Sequence, residues 1–223
     1  MSKSLFFQAV VKFLSGAILI GLLIFLSAGT IAFWKGWLLM AILLIPMFLA
    51  GIVMMLKNPE LLKKRLHVRE QQTEQCLVVK LSGLMFVIGF LLAGLDFRFE
   101  WFPLPDWVSW GAAVLFLLSY LLYAEVLREN TYLSRTVEVQ QGQKVIDTGV
   151  YGVVRHPMYS ATLILFLSMP LVLGSAVSFV VFLVYPAIIA KRIRNEEKVL
   201  EEGLEGYVAY KKRVKYRVIP FVW

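Results

Sequence analysis

Between long apolar segments the chain carries a short polar island, Gly149-Val150-Tyr151-Gly152-Val153-Val154-Arg155-His156-Pro157-Met158-Tyr159. Ionisable groups held at a membrane boundary are costly, so their concentration there points to a site. The same residues also read as an interfacial belt of Tyr and Arg that anchors a helix end. A second cluster, Arg192-Ile193-Arg194-Asn195-Glu196-Glu197-Lys198, follows the next apolar stretch. On a helix Arg192 and Glu196 are four residues apart and share one face. A solvated helix with its charges paired for solubility is the alternative. As chemistry, an Arg fork suits a carboxylate, and a Glu suits a cation or a proton to be removed.

Elements buried in a bilayer must position these groups. Of 223 residues, 59% are hydrophobic and 17% charged, against about a quarter charged in soluble domains. Apolar runs at 10–33, 36–56, 77–95 and 107–127 exceed the length that marks a spanning helix. The first run is too long for the apolar part of a cleavable signal and ends in no small-residue cleavage pattern. A single cysteine, Cys76, excludes an intramolecular disulfide, and two His with one Cys make no conventional structural zinc site. Every Lys and Arg except Lys35 and Arg98 falls on one side of these spans. The positive-inside rule places that side, with both termini, in the cytoplasm. The opposite side holds Asp96, Glu100 and Asp106 with Trp101, Trp107 and Trp110 as an aromatic belt. The net charge of +8 is therefore topology and attraction to lipid headgroups, not a nucleic-acid footprint. No internal repeat is visible.

Trp34-Lys35-Gly36-Trp37 reads as a tight outer hairpin between the first two spans. Pro46 and Gly51 mark a kink in the second. Residues 57–66 read as a surface helix capped by Asn58 with Pro59 in its first turn, and His67 as a solvated neighbour. Residues 158–191 would make about 51 Å of helix, too long for one crossing of a core of about 30 Å and short for two. With Pro170 and Gly174 midway, they read as a helical hairpin that enters and leaves on the cytoplasmic face, which brings the two polar clusters side by side. The fold expected is all-α: four transmembrane helices, a C-terminal helical hairpin and an amphipathic cytoplasmic tail. It forms one membrane domain over 1–223, with 1–127 as the four-span bundle and 128–223 as the catalytic part.

In that order, Gly-Val-Tyr-x-x-x-Arg-His-Pro-x-Tyr, a broken apolar hairpin, Arg-x-x-x-Glu-Glu-x-x-Leu and a Tyr-x-x-Tyr-Lys-Lys-Arg-Val tail with its Ile-Pro resemble the isoprenylcysteine carboxyl methyltransferase family. More broadly they resemble the integral-membrane methyltransferases that include phospholipid N-methyltransferases. The resemblance covers about residues 128–220. It implies S-adenosylmethionine bound at the cytoplasmic face and a lipid-like or prenylated acceptor entering from the bilayer, with membrane lipids as neighbours and neither nucleic acid nor metal. The cofactor contacts it implies are Gln143, Lys144, Val145, Ile146, Tyr151, His156, Pro157, Met158, Tyr159 and Glu196. Arg192 takes the acceptor side, and Arg192 and Glu196 are the catalytic pair. Gln143 stands where some relatives carry His. The tail reads Gly203-Leu204-Glu205-Gly206-Tyr207 where many members have Phe-Gly-x-x-Tyr.

Methyl transfer from a sulfonium depends on alignment, so catalysis is largely positioning. Glu and Tyr favour the cationic parts of such a cofactor, while His and backbone N–H groups take its carboxylate. A carboxylate acceptor needs an Arg clamp, an amine acceptor a base, and Glu196 is the nearest candidate. The alternatives are a phospholipid-amine or small-thiol methyltransferase, and an NADPH-dependent membrane reductase of the sterol type. A transporter or scaffold is disfavoured because the spans lack charges at their centres. The tail from Glu197 to Trp223 is too polar to span yet ends in Ile219, Pro220, Phe221, Val222 and Trp223. It is expected to cover the cofactor, with a passive membrane anchor as the alternative.

Overall fold

In lipid every backbone N–H and C=O must be satisfied within the segment, which leaves the helix as the form for single apolar runs of Leu, Ile, Phe and Val. The structure, a computed structural model, describes residues 3–57, 59–66, 73–133 and 137–223. Its helices are α1 (Lys3–Ala28), α2 (Trp34–Lys57), α3 (Pro59–Leu66), α4 (Thr73–Phe99), α5 (Asp106–Glu129), α6 (Pro157–Val172), α7 (Ala176–Phe182), α8 (Tyr185–Gly203) and α9 (Tyr207–Arg213). A 3-10 turn at Gly149–Gly152 precedes α6. Five stretches are long and apolar enough to cross a membrane: Leu5–Ala28, Trp34–Lys57, Gln75–Phe99, Asp106–Glu129 and Ala176–Gly203. Large apolar side chains such as Leu26, Leu56 and Leu121 stay exposed along them, as lipid-facing residues do.

The four spans read from the sequence are present, with shifted ends. Trp34-Lys35-Gly36-Trp37 is not the hairpin but the first turn of α2, and the connection is the short stretch from Gly29 to Phe33. The Phe33 carbonyl accepts from the Gly36 and Trp37 amides, so the helix begins at Trp34. Pro46 lies inside α2. The expected surface helix is α3, while the Asn58 cap and His67 lie outside the described residues.

The C-terminal hairpin differs most from its expectation. α6 continues past Pro170 to Val172, and the chain turns at Gly174, whose φ is +72°. A second break, at Leu183–Val184, separates α7 from α8. The hairpin tip reaches the loop between α4 and α5, on the far side from the polar clusters. There Leu104 N donates to Gly174 O (2.7 Å) and Ala176 N to Phe102 O (3.3 Å). Asp96, expected among the outer-loop acids, instead lies within α4 and is buried. It accepts from Ser175 Oγ (2.5 Å) and from Phe102 N (2.8 Å). Lys35 is likewise buried, paired with Asp106 (2.9 Å) and donating to Leu104 O (3.0 Å). The second arm, α7 with α8, is a fifth stretch of crossing length.

One apolar core joins α1, α2 and α4 through α8, from Ile24, Phe33 and Leu39 through Phe90 and Phe116 to Met169, Phe182, Ile193 and Val218. Along the α5–α6 seam the buried residues include Ser109, Ala112, Ala113 and Ala161, small side chains that let two helices approach closely. This seam brings the C-terminal end of α5 and the N-terminal end of α6 together.

Candidate active site

Three chain segments converge where α5 ends, α6 begins and α8 passes. They enclose an open cavity whose empty space, with its mouth and adjoining solvent included, is about 850 Å³. Of the residues singled out in the sequence, Gln143, Lys144, Val145, Ile146, Tyr151, His156, Met158, Tyr159, Arg192 and Glu196 line it. Pro157 does not. It is fully buried and occupies the first turn of α6, where a missing N–H costs nothing.

The two clusters meet at the Tyr159 hydroxyl. It donates to Glu196 Oε2 (2.6 Å) and accepts from Arg192 Nε (2.9 Å). Arg192 and Glu196 thus act on one shared atom supplied by α6. His156, also buried, places Nδ1 3.7 Å from Glu196 Oε1 and Nε2 3.4 Å from Glu197 Oε1. Its Nε2 is aligned with no acceptor among the described residues. Gln143 serves the loop as well as the cavity, because its Oε1 accepts from Gln140 N (2.9 Å). Tyr151 accepts from Asn130 Nδ2 (3.0 Å), which ties the motif to the end of α5.

Beside the cavity, and reaching its wall at Arg155, lies a charge network to which the sequence reading gave no role. The buried stripe of α8, Ile189 and Ile193, ends in Glu197, which is 2% exposed. Glu197 Oε1 accepts from Arg155 Nε (2.8 Å), and its Oε2 from Arg217 Nε (3.0 Å). Arg155 Nη1 also donates to the carbonyls of Val214 (2.7 Å) and Lys215 (2.8 Å). Buried charges persist only when paired and hydrogen-bonded in this way.

The tail runs alongside the motif. Arg155 N donates to Tyr216 O (2.9 Å), His156 N to Arg217 O (2.8 Å) and Ser160 Oγ to Val218 O (2.6 Å). Val218 is buried and Trp223 packs on the main core. Residues 214–223 are therefore a strap under the motif, and the tail wall of the cavity comes from Leu204, Tyr207 and Tyr210. These three form a small apolar cluster with Val214, Val139, Val145 and Leu200. Gly206, with φ +84°, makes the left-handed step from α8 into α9 that a side chain would strain. Phe221 and Val222 remain exposed.

Fold and site together define an integral membrane protein with an open, polar-lined cavity at one end of its helices. The model of the isoprenylcysteine carboxyl methyltransferase (ICMT) family matches residues 111–202, so the chain carries a domain of that methyltransferase family. Over 158 residues it is 27% identical to protein-S-isoprenylcysteine O-methyltransferase B of Arabidopsis thaliana, an alignment taking in 65% of this chain and 80% of that protein. Over 91 residues it is 33% identical to a Delta(14)-sterol reductase of Mus musculus, taking in 40% of this chain and 22% of the reductase. The chain thus spans less than a quarter of that relative.

Proposed function

We propose that this chain transfers a methyl group from S-adenosylmethionine to a lipid-like acceptor, with a carboxylate of the prenylated-cysteine kind as the best-fitting class. The observation that carries the reading is the Arg192–Tyr159–Glu196 relay beside His156, inside the family-matched segment. The donor set suits the cofactor. The half-buried Glu196 carboxylate, five tyrosines and the buried His156 imidazole line a single cavity. When bound, S-adenosylmethionine supplies an electrophilic methyl carried on a sulfonium.

Glu196 and the Tyr159 ring favour the positive end of such a ligand, and His156 with the 143–146 backbone serves its polar groups. Arg192 presents the acceptor clamp. An acceptor carboxylate is already a nucleophile, so no base is required and the residues act by holding the reactants in line. A phospholipid amine or a small thiol would instead draw on Glu196 as base. The basic end of the protein, with both termini, faces the cytoplasm by the positive-inside rule, and the whole chain acts as one membrane domain.

The identity shared with a sterol reductase favours a second reading, a membrane reductase using NADPH. Titration of detergent-purified protein with each cofactor separates the two. The expected result is binding of S-adenosylmethionine and addition of one methyl, read by mass, to a prenylated-cysteine analogue. Binding of NADPH without S-adenosylmethionine would overturn the proposal in favour of the reductase.

A further inference from the structure

Two tyrosines of α9 line the cavity, and they differ in one respect. Tyr210 donates its hydroxyl to Tyr151 O (2.7 Å), which fixes α9 to the motif. Tyr207 is 3% exposed, yet its hydroxyl has no hydrogen-bond partner among the described residues. An unsatisfied buried hydroxyl costs about 1–3 kcal/mol, and such groups are few in native proteins. His156 lines the same cavity, but its Nε2 lies 3.4 Å from Glu197 Oε1, so the contrast rests on Tyr207. The unsatisfied hydroxyl sits on a residue that lines the open cavity.

The surroundings of Tyr207 indicate which part of a ligand belongs there. Its ring packs beside Tyr210, with centroids 5.8 Å apart, among Leu204, Leu200 and Val145. Of these, Val145, Leu200, Leu204 and Tyr210 line the cavity as well. A wall that is apolar and aromatic suits a flat, weakly polar ring system. The charged groups Glu196 and Arg192 are gathered at the Tyr159 hydroxyl on α6 and α8, which suits a charged end. Burial and the nearby Glu197 and Glu196 charges hold the Tyr207 phenol above its ordinary pKa, so it remains an O–H donor.

Resting on the methyltransferase reading, we infer that Tyr207 is a cofactor-binding residue whose hydroxyl donates a hydrogen bond to the nucleoside half of S-adenosylmethionine. The acceptor is a ring nitrogen or a ribose oxygen. α9 then does more than close the cavity, because it reads the cofactor through this residue.

Tyr207→Phe removes the hydroxyl and keeps the ring. Calorimetry with S-adenosylmethionine, and competition by 5′-methylthioadenosine, which lacks the amino-acid end, measure its effect. The variant is expected to weaken both ligands about tenfold. Its ligand-free melting temperature should equal or exceed that of the wild type, since an unsatisfied group is lost. Tyr210→Phe, which loses a made bond, should instead lower the ligand-free melting temperature. The assignment is overturned if Tyr207→Phe binds both ligands like the wild type, or weakens S-adenosylmethionine alone. A lowered ligand-free melting temperature in Tyr207→Phe, or a wild type that 5′-methylthioadenosine does not compete with, also overturns it. A wild-type protein that binds no S-adenosylmethionine overturns the functional reading itself, and that result is visible before any variant is made.

Discussion

Because one phenol hydroxyl touches both Arg192 and Glu196, these two residues are not independent. Glu196→Gln removes an anion next to the proposed cationic ligand and should weaken S-adenosylmethionine about tenfold, a charged hydrogen bond contributing about 1.5–3 kcal/mol. Arg192→Lys keeps the charge but loses the planar fork, so it should lower turnover and leave cofactor affinity nearly unchanged. Tyr159→Phe removes both bonds and should lower both quantities. A double-mutant cycle of Tyr159→Phe with Glu196→Gln, read by calorimetry, should show a coupling of about 0.5–3 kcal/mol. Additive losses would mean that the hydroxyl holds nothing in place for the ligand.

At the scale of elements, the motif, α8 and the tail are stapled through Glu197. Its two oxygens serve guanidinium groups from before α6 and from the strap. Glu197→Gln substitutes an amide that cannot accept at both positions and leaves two arginines without their anion. The expected loss of stability is about 3–5 kcal/mol, measured by denaturant or thermal unfolding in detergent. Removal of residues 214–223 takes away the carbonyls that accept from Arg155, His156 and Ser160. The truncated protein should melt well below the full chain even without ligand. A truncation that melts like the full chain and loses only cofactor would instead support the tail as a lid.

The whole molecule depends on close helix approach at one level and a polar clamp at another. A Cβ added at Gly94 of α4 would overlap Ser27 Oγ and stand 2.6 Å from Ile24 O of α1. Gly94→Ala should therefore push the two helices apart at a cost of about 1–3 kcal/mol, measurable as a fall in melting temperature. The Asp96–Ser175 bond and the Gly174–Leu104 pairing fix the hairpin tip at the far end, so the arms hold the site at the other. Single cysteines at exposed Trp101 and exposed Phe221, in a Cys76→Ser background, report orientation. A membrane-impermeant thiol reagent added outside intact cells should label the first and not the second. The reverse pattern would invert the topology.

Length and hydropathy by themselves determined the first four spans, because a backbone in lipid has no other way to satisfy its hydrogen bonds. Residue type and order picked out the polar heart of the cavity wall, since Tyr151, His156, Tyr159, Arg192 and Glu196 announce themselves as polar groups in apolar surroundings. The sequence did not carry the role of Tyr159 as a bridge, for a hydroxyl 33 residues from Arg192 has no local pattern. Arg155 and Glu197 stood in plain sight, but their pairing spans 42 positions and forms only once α6 and α8 are side by side. The strap was invisible for a different reason: it is held through backbone carbonyls, which every sequence possesses. Tertiary structure alone decided which charges were buried, how deep the hairpin reached, and which of two neighbouring tyrosines was left with its hydroxyl unsatisfied. Each of those depends on what lies across a gap that the chain order does not encode.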